Sequence, residues 1–389
     1  MGRELLNFKM FLSVLFAFTV GYAIITYGRL VREEIGRYDR ALSERVQVIE
    51  RVKAKPITVK GLYLTASSAA SSRTRQRIIE LIKETELNSV IIDIKDYTGN
   101  ILYDSDLDLV NQLDTERVVM REVKEIINEF HNADIYVVAR QTVFQDPALA
   151  QAQPEWAITT EGGGLWRDYK GLSWVDPTKP EVWQYNFAVA REASKLGFDE
   201  INFDYVRFPS DGNIRTAVYA NLEGSKAETM RKFFKTLDES LQRSRVYTSL
   251  DLFGMVLESG DFDLNIGQTL AVALDTVDYI CPMTYPSHYP TGHLGLANPA
   301  DHPYIVVSNG LKKSQTAFAK AERTQLRPWV QAFNLGAVYD GPKIRAQITA
   351  IEEADRTSGW MLWNASNNYD SRGLLPDEHA AALRSDVTT

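Results

Sequence analysis

Two aspartates stand at the ends of short runs in which apolar and polar residues alternate: Asp204 in EINFDYV and Asp251 in VYTSLD. Successive side chains of a strand face opposite sides. Ile201, Phe203 and Tyr205 therefore share one face and leave Asn202 and Asp204 on the other. The same alternation separates Leu250 from Ser249 and Asp251. Paired carboxylates are the minimum apparatus for cleaving a glycosidic bond: one protonates the departing oxygen, while the other attacks the anomeric carbon or activates water. An inward carboxylate is costly unless it is paired or hydrogen-bonded, so the structural alternative for Asp204 is an ion pair with Arg207, three residues on. Glu258, in the loop after the Asp251 run, is the alternative acid, or simply a solvated loop residue.

Other residues are placed to shape a binding site around this pair. Asp93 and Lys95 fall on one face of SVIIDIKD, where they could fill the interior as an ion pair, and Asp96 at its end suits a sugar hydroxyl. Arg140, expected to end its run, either holds an acidic sugar, orients Asp204, or forms an internal salt bridge. Tyr285 offers a hydroxyl to an oxygen or to a nucleophilic carboxylate, and His288 is a candidate proton carrier at neutral pH. Gln331 and Trp363 finish later runs on the inward side, Trp363 as a floor for a sugar ring or a plug. Tyr63, Asn202 and Arg207 complete the candidate substrate-binding set.

Eight such runs must position these side chains. They are GLYLTA from Gly61, SVIIDIKD from Ser89, IYVVAR from Ile135, EINFDYV from Glu200, VYTSLD from Val246, DYICPMTY from Asp278, RPWVQAF from Arg327 and GWMLWN from Gly359. Between them lie stretches with helical apolar spacing, including 74–86, 115–132, 180–196 and 227–244. Alternating strands and helices build a parallel sheet covered by helices. Eight repeats, with no glycine-rich phosphate turn after the first, predict an α/β fold of the closed (β/α)8 TIM-barrel type. Its C-terminal mouth is where strand-end residues act. The longest connection, from the third run to the fourth, carries Pro154, Trp156, Gly162 to Gly164, Trp166, Tyr169 and Trp174. Its aromatics either meet the apolar faces of sugars or pin the loop to the barrel.

The 389 residues are 44% hydrophobic and 24% charged, an ordinary globular balance. Asp and Glu outnumber Lys and Arg by 51 to 43, for a net charge of −8, so nucleic acid is an unexpected partner. The single cysteine, Cys281, excludes an internal disulfide, and no Cys/His cluster has zinc-site spacing. No cofactor or metal is implied.

Residues 1–28 contain an uncharged stretch, Met10 to Tyr27, approaching the length that crosses a bilayer. An uncleaved anchor is expected, with the rest extracytoplasmic. The alternative is secretion after cleavage of a signal peptide near Gly21 and Ala23. In 29–55, Val31, Ile35, Tyr38, Leu42, Val46 and Ile49 recur at helical spacing. This predicts a stalk, able to pair with a second copy as a short coiled coil or to stand as a spacer. The barrel then runs over 56–389.

The motifs KGLYLTA, VIIDIKD, FDEINFDYVRFP, SLDLFG, ICPMTYPSHY, WVQAF and GWMLWNASNNY resemble the bacterial putative glycosyl hydrolase domain family, barrels grouped with glycosidases. The resemblance covers roughly Lys60 to Tyr369 and implies a glycosidase-like barrel without implying a substrate. A looser likeness is to family 18 chitinases, whose fourth strand reads DGxDxDxE. In the corresponding segment, Asp199 to Val206, Val206 stands where their acid would be, and a valine cannot give a proton. A fourth strand of the α-amylase type, with one Asp as nucleophile, is the nearer analogy.

The expectation is hydrolysis of an envelope or extracellular polysaccharide by Asp204 and Asp251. The rival is a non-catalytic polysaccharide-binding barrel of an envelope assembly. A metal-dependent deacetylase is disfavoured by the lack of a His-rich ligand set.

Overall fold

The structure, a computed structural model, describes residues 56–244 and 246–377. The expected anchor and stalk lie outside the described residues. Among the described residues no helix is long and apolar enough to cross a membrane.

Eight strands close into a parallel barrel. They are β1 (Val59–Leu64), β2 (Ser89–Lys95), β3 (Tyr136–Thr142), β4 (Glu200–Asp204), β5 (Tyr247–Phe253), β6 (Tyr279–Met283), β7 (Trp329–Gln331) and β8 (Gly359–Trp363). Each pairs in parallel with the next, and β8 returns to β1 through Val59↔Gly359 to Leu62↔Leu362. The pattern that builds them is physical: β-branched and aromatic residues dominate, and buried side chains line both faces, as a sheet covered by helices requires. Helices such as Ser72–Glu84, Pro180–Leu196 and Lys226–Leu241 cover the outside. Pro180 starts its helix at the one turn that needs no amide donor, and Gly197 ends it in the left-handed conformation at φ 113°. Ser225 and Glu228 cap the third of these helices reciprocally.

Four departures from the expected elements have local causes. Residues 115–132 are not one helix: Glu116–Met120 is a strand paired with Ile101–Tyr103, and only Val123–His131 is helical. ERVVM is β-rich, and the nearby strand supplies the hydrogen bonds that a helix would have made. The seventh strand is broken. Gln325–Leu326 pairs with β6, then Pro328, which has no amide to donate, separates it from β7.

Lys95 does not join Asp93. The register with β3 slips by one between Asp93↔Arg140 and Lys95↔Gln141, a bulge that turns Lys95 outward. There it meets Asp146 at 2.6 Å and Asn186 on the helix Pro180–Leu196. Finally, β4 ends at Asp204, and Tyr205 takes φ 53°. Tyr205 therefore leaves the face of Ile201 and Phe203 and lines the mouth.

The long β3–β4 connection is pinned by its tryptophans. Trp166 and Trp174 are buried, their ring nitrogens donating to the Asn213 carbonyl and to Asp168, whereas Tyr169 points into solvent.

Candidate active site

Register places four polar residues in one row across adjacent strands: Asp93 of β2, Arg140 of β3, Asn202 of β4 and Ser249 of β5. Asp204 and Asp251 stand one inward step higher, toward the C-terminal mouth. Arg140 lies within β3 rather than at its end, and its guanidinium organises the row above it. Nη1 donates to Asp93 at 2.6 Å, Nη2 donates to Asp204, and Nε lies 3.7 Å from Asp251. One cation thus touches three carboxylates, none of them more than slightly exposed.

The two mouth carboxyls are held differently. Asp204 accepts from Arg140 and, at 2.6 Å, from the amide of Tyr205, whose left-handed turn brings that amide back over its neighbour. Asp251 accepts through Oδ1 from Trp329 Nε1 at 2.7 Å and from Asn202 Nδ2 at 2.9 Å. Burial first, and the adjacent charge of Asp204 second, push the Asp251 carboxyl well above the ordinary carboxylate range, with Arg140 opposing. Burial likewise raises Asp93, which accepts from the Tyr63 hydroxyl at 2.5 Å.

Asp204 and Asp251 open together into a cavity of about 450 Å³, walled also by Arg140, Arg207, Tyr285 and Trp363. The Tyr285 hydroxyl makes no hydrogen bond among the described residues, and burial with the nearby Asp251 and Asp204 raises its pKa far above the phenol value. His288 reaches the same cavity from the rim. Partial desolvation lowers its pKa, and Nδ1 lies 3.0 Å from the Ser287 hydroxyl. Trp363 stacks on Tyr63, ring centres 4.0 Å apart, and, with Tyr285 and His288, also lines a second cavity of about 640 Å³ beside Asn364 and Phe333.

Several expected site residues sit elsewhere. Asp96 lines a separate recess beside Tyr63 and spends its carboxylate on Thr98. Asn202 is fully buried below the cavity and acts on Asp251. Gln331 is also fully buried; its side-chain amide bonds Ser287, Phe333 and Leu335, so it ties loops together. Glu258 is neither solvated nor in the cavity. It packs behind it with Asn309 at 2.7 Å and with His293 and Lys313 beside it. Asp204 has no ion pair with Arg207; Arg140 takes that place. Trp329, the direct partner of Asp251, was not singled out from sequence, although it stands two residues before Gln331 on the same face of β7. Among the described residues no group of His, Cys, Asp and Glu could hold a metal ion.

No curated protein matches the chain. Among solved structures, a hypothetical protein from Ruminiclostridium thermocellum is 34% identical over 49% of this chain and 96% of its own, with a TM-score of 0.46. The glycoside hydrolase domain of PgaB (BpsB) from Bordetella bronchiseptica is 13% identical over 85% of this chain and 98% of its own, with a TM-score of 0.55. An α-galactosidase from Thermus thermophilus is 14% identical over 86% of this chain and 62% of its own, with a TM-score of 0.51. At those identities the last two share the fold. The family model described as "Putative glycosyl hydrolase domain" matches residues 61–369, every barrel strand but the first two residues of β1, and the chain belongs to that family.

Proposed function

We propose that the mouth of this barrel hydrolyses a glycosidic bond in an envelope or extracellular polysaccharide. The carrying observation is that two carboxyls held by different partners share one open cavity. Asp251, pushed up by burial and by its neighbour, holds a proton to deliver to the departing oxygen. Asp204, bonded by Arg140 and a backbone amide, is the nucleophile or the base for water. Divergent environments for two carboxyls are what an acid and its partner require.

The surrounding groups have roles that follow from contact. Asn202 and Trp329 fix the orientation of Asp251 through Oδ1, leaving Oδ2 without a hydrogen bond among the described residues, 3.7 Å from Arg140 Nε. Arg140 keeps the two carboxyls at a set separation. Tyr285 offers an uncommitted hydroxyl to a substrate oxygen, and the Trp363 ring gives a sugar an apolar face to lie on. The uncharged run Met10 to Tyr27 supports a membrane-anchored, extracytoplasmic placement, where such polymers are met.

The test is turnover by the full-length protein on a panel of polysaccharides and oligosaccharides, with reducing ends measured. Turnover that falls at least about 10³-fold in Asp204→Asn, with an unchanged melting curve, is the expected result. Glycan binding without turnover in any variant would instead support a non-catalytic carbohydrate-binding barrel.

A further inference from the structure

Three arginines are buried among the described residues: Arg140, Arg207 and Arg327. Two have their counterions. Arg140 contacts Asp93, Asp204 and Asp251, and Arg327 contacts Glu200 at 2.6 Å. Among the described residues Arg207 has no carboxylate within salt-bridge distance, and its only hydrogen bond there is from Nη1 to the Phe208 carbonyl, at 3.0 Å. The Nε and Nη2 edge is uncommitted.

The acids whose charges reach Arg207, which are Asp204, Asp211 and Asp168, make their hydrogen bonds to other groups. Asp204 belongs to Arg140 and the Tyr205 amide, Asp168 to Trp174 and the amides of Lys170 and Leu172, and Asp211 to the Tyr169 amide. In place of a counterion, Arg207 is surrounded by rings, with Trp174, Tyr205 and Phe253 centred 5.0, 5.2 and 4.8 Å from its guanidinium carbon. Aromatic faces hold a guanidinium in position without neutralising it. A buried charge without a counterion is costly, and the residue lies in the wall of the cavity that Asp204 and Asp251 share. Burial lowers its pKa, yet an arginine remains charged.

We propose that Arg207 is a subsite for a negatively charged substituent of the glycan, with a sugar carboxylate of the uronic-acid type as the preferred group. The guanidinium edge formed by Nε and Nη2 matches the two oxygens of a carboxylate. The incoming anion supplies the missing counterion next to the scissile position. Arg140, already in ionic contact with three aspartates, does not compete for it. This rests on the hydrolase reading for the location of the cleaved bond, but not for the binding itself.

Binding is therefore measured in the full-length Asp204→Asn protein, so that no probe is consumed. The probes are oligomers of alginate, polygalacturonate and hyaluronan, each paired with its carboxyl-reduced neutral counterpart, together with a sulfated and a partly deacetylated amino-sugar oligomer. At least one uronate oligomer is expected to bind 10-fold or more tightly than its reduced form. Arg207→Met should abolish that preference, and Arg207→Lys, which keeps the charge and loses the fork, should retain only part of it. Melting curves separate a lost subsite from a lost fold, and Arg207→Lys decides if the Met variant unfolds. Equal binding of reduced and acidic forms, a preference for the sulfated or the cationic oligomer, or no binding of any uronate probe would overturn the proposal. If uronates bind through Arg207 but the wild-type protein cleaves nothing, the hydrolase reading fails and the subsite stands. If neutral glycans are cleaved regardless of Arg207, the reverse holds.

Discussion

The Asp251 carboxyl lies under the weight of its surroundings: burial that strips solvation from its charge, and the charge of Asp204 close by. The expected kinetic consequence is an alkaline limb of kcat/KM lying well above the ordinary carboxylate value of about 3.9, because the rate falls as the acid loses its proton. The same shift bears on stability. A group whose pKa is raised by folding contributes fully below its unfolded value, and the contribution is lost as pH rises through the folded one. Wild-type stability should therefore decline from about pH 4 toward neutrality relative to Asp251→Asn, which carries no charge to bury. Melting temperatures of both proteins across that range test this. Parallel curves would mean that Asp251 ionises as it would in water. Tyr63 and the Asp93 carboxyl are expected to matter less directly, since they act on Arg140 from behind.

At the level of strands and loops, alternation carried most of what could be read. It oriented Asn202, Asp204, Ser249 and Asp251 inward, because β4 and β5 are regular up to those residues. It failed where the backbone departs from the two-residue period. The β2 bulge sent Lys95 to the helix side, and the left-handed turn at Tyr205 moved that ring into the cavity. Gln331 and Glu258 were harder to read for another reason: Ser287, which donates to the Gln331 side-chain oxygen, and Asn309, which donates to Glu258, are remote in sequence, so no local pattern reveals those bonds. The anchoring tryptophans of the β3–β4 connection were open to two readings, and their buried hydrogen bonds favour the structural one.

The seam between β8 and β1 yields its own expectation. Gly359 pairs with Val59 at φ 91°, and a Cβ there would stand 1.7 Å from the Val59 carbonyl oxygen. Gly359→Ala should cost about 3 kcal/mol or more in chemical denaturation, the combined result of a disfavoured dihedral and a backbone clash. A loss below about 0.5 kcal/mol, the ordinary surface effect, would mean that the closure is pliable.

Seen as a whole, the barrel interior holds two ionic groups at opposite ends. The upper one is the Arg140 set with its three aspartates. The lower one is Arg327 with Glu200, both fully buried, where Arg327 also donates to the Ser358 carbonyl and lies 3.6 Å over the Tyr279 ring. This pair joins the start of β4 to the segment before β7, strands that do not touch through the backbone. Arg327→Met leaves Glu200 without its cation, with the Tyr136 hydroxyl still donating to it at 3.2 Å, and should destabilise by about 3–5 kcal/mol. Activity per folded molecule should stay unchanged, as measured by denaturation and by turnover at a temperature where the variant is folded. A loss of turnover in the folded variant would show that the lower pair also shapes the mouth.

The separation of these two clusters along the barrel axis divides labour within one interior. The base of the molecule carries the fastening that keeps distant strands together, so the rim can exchange polar residues, lengthen a loop or admit a new sugar while its foundation holds.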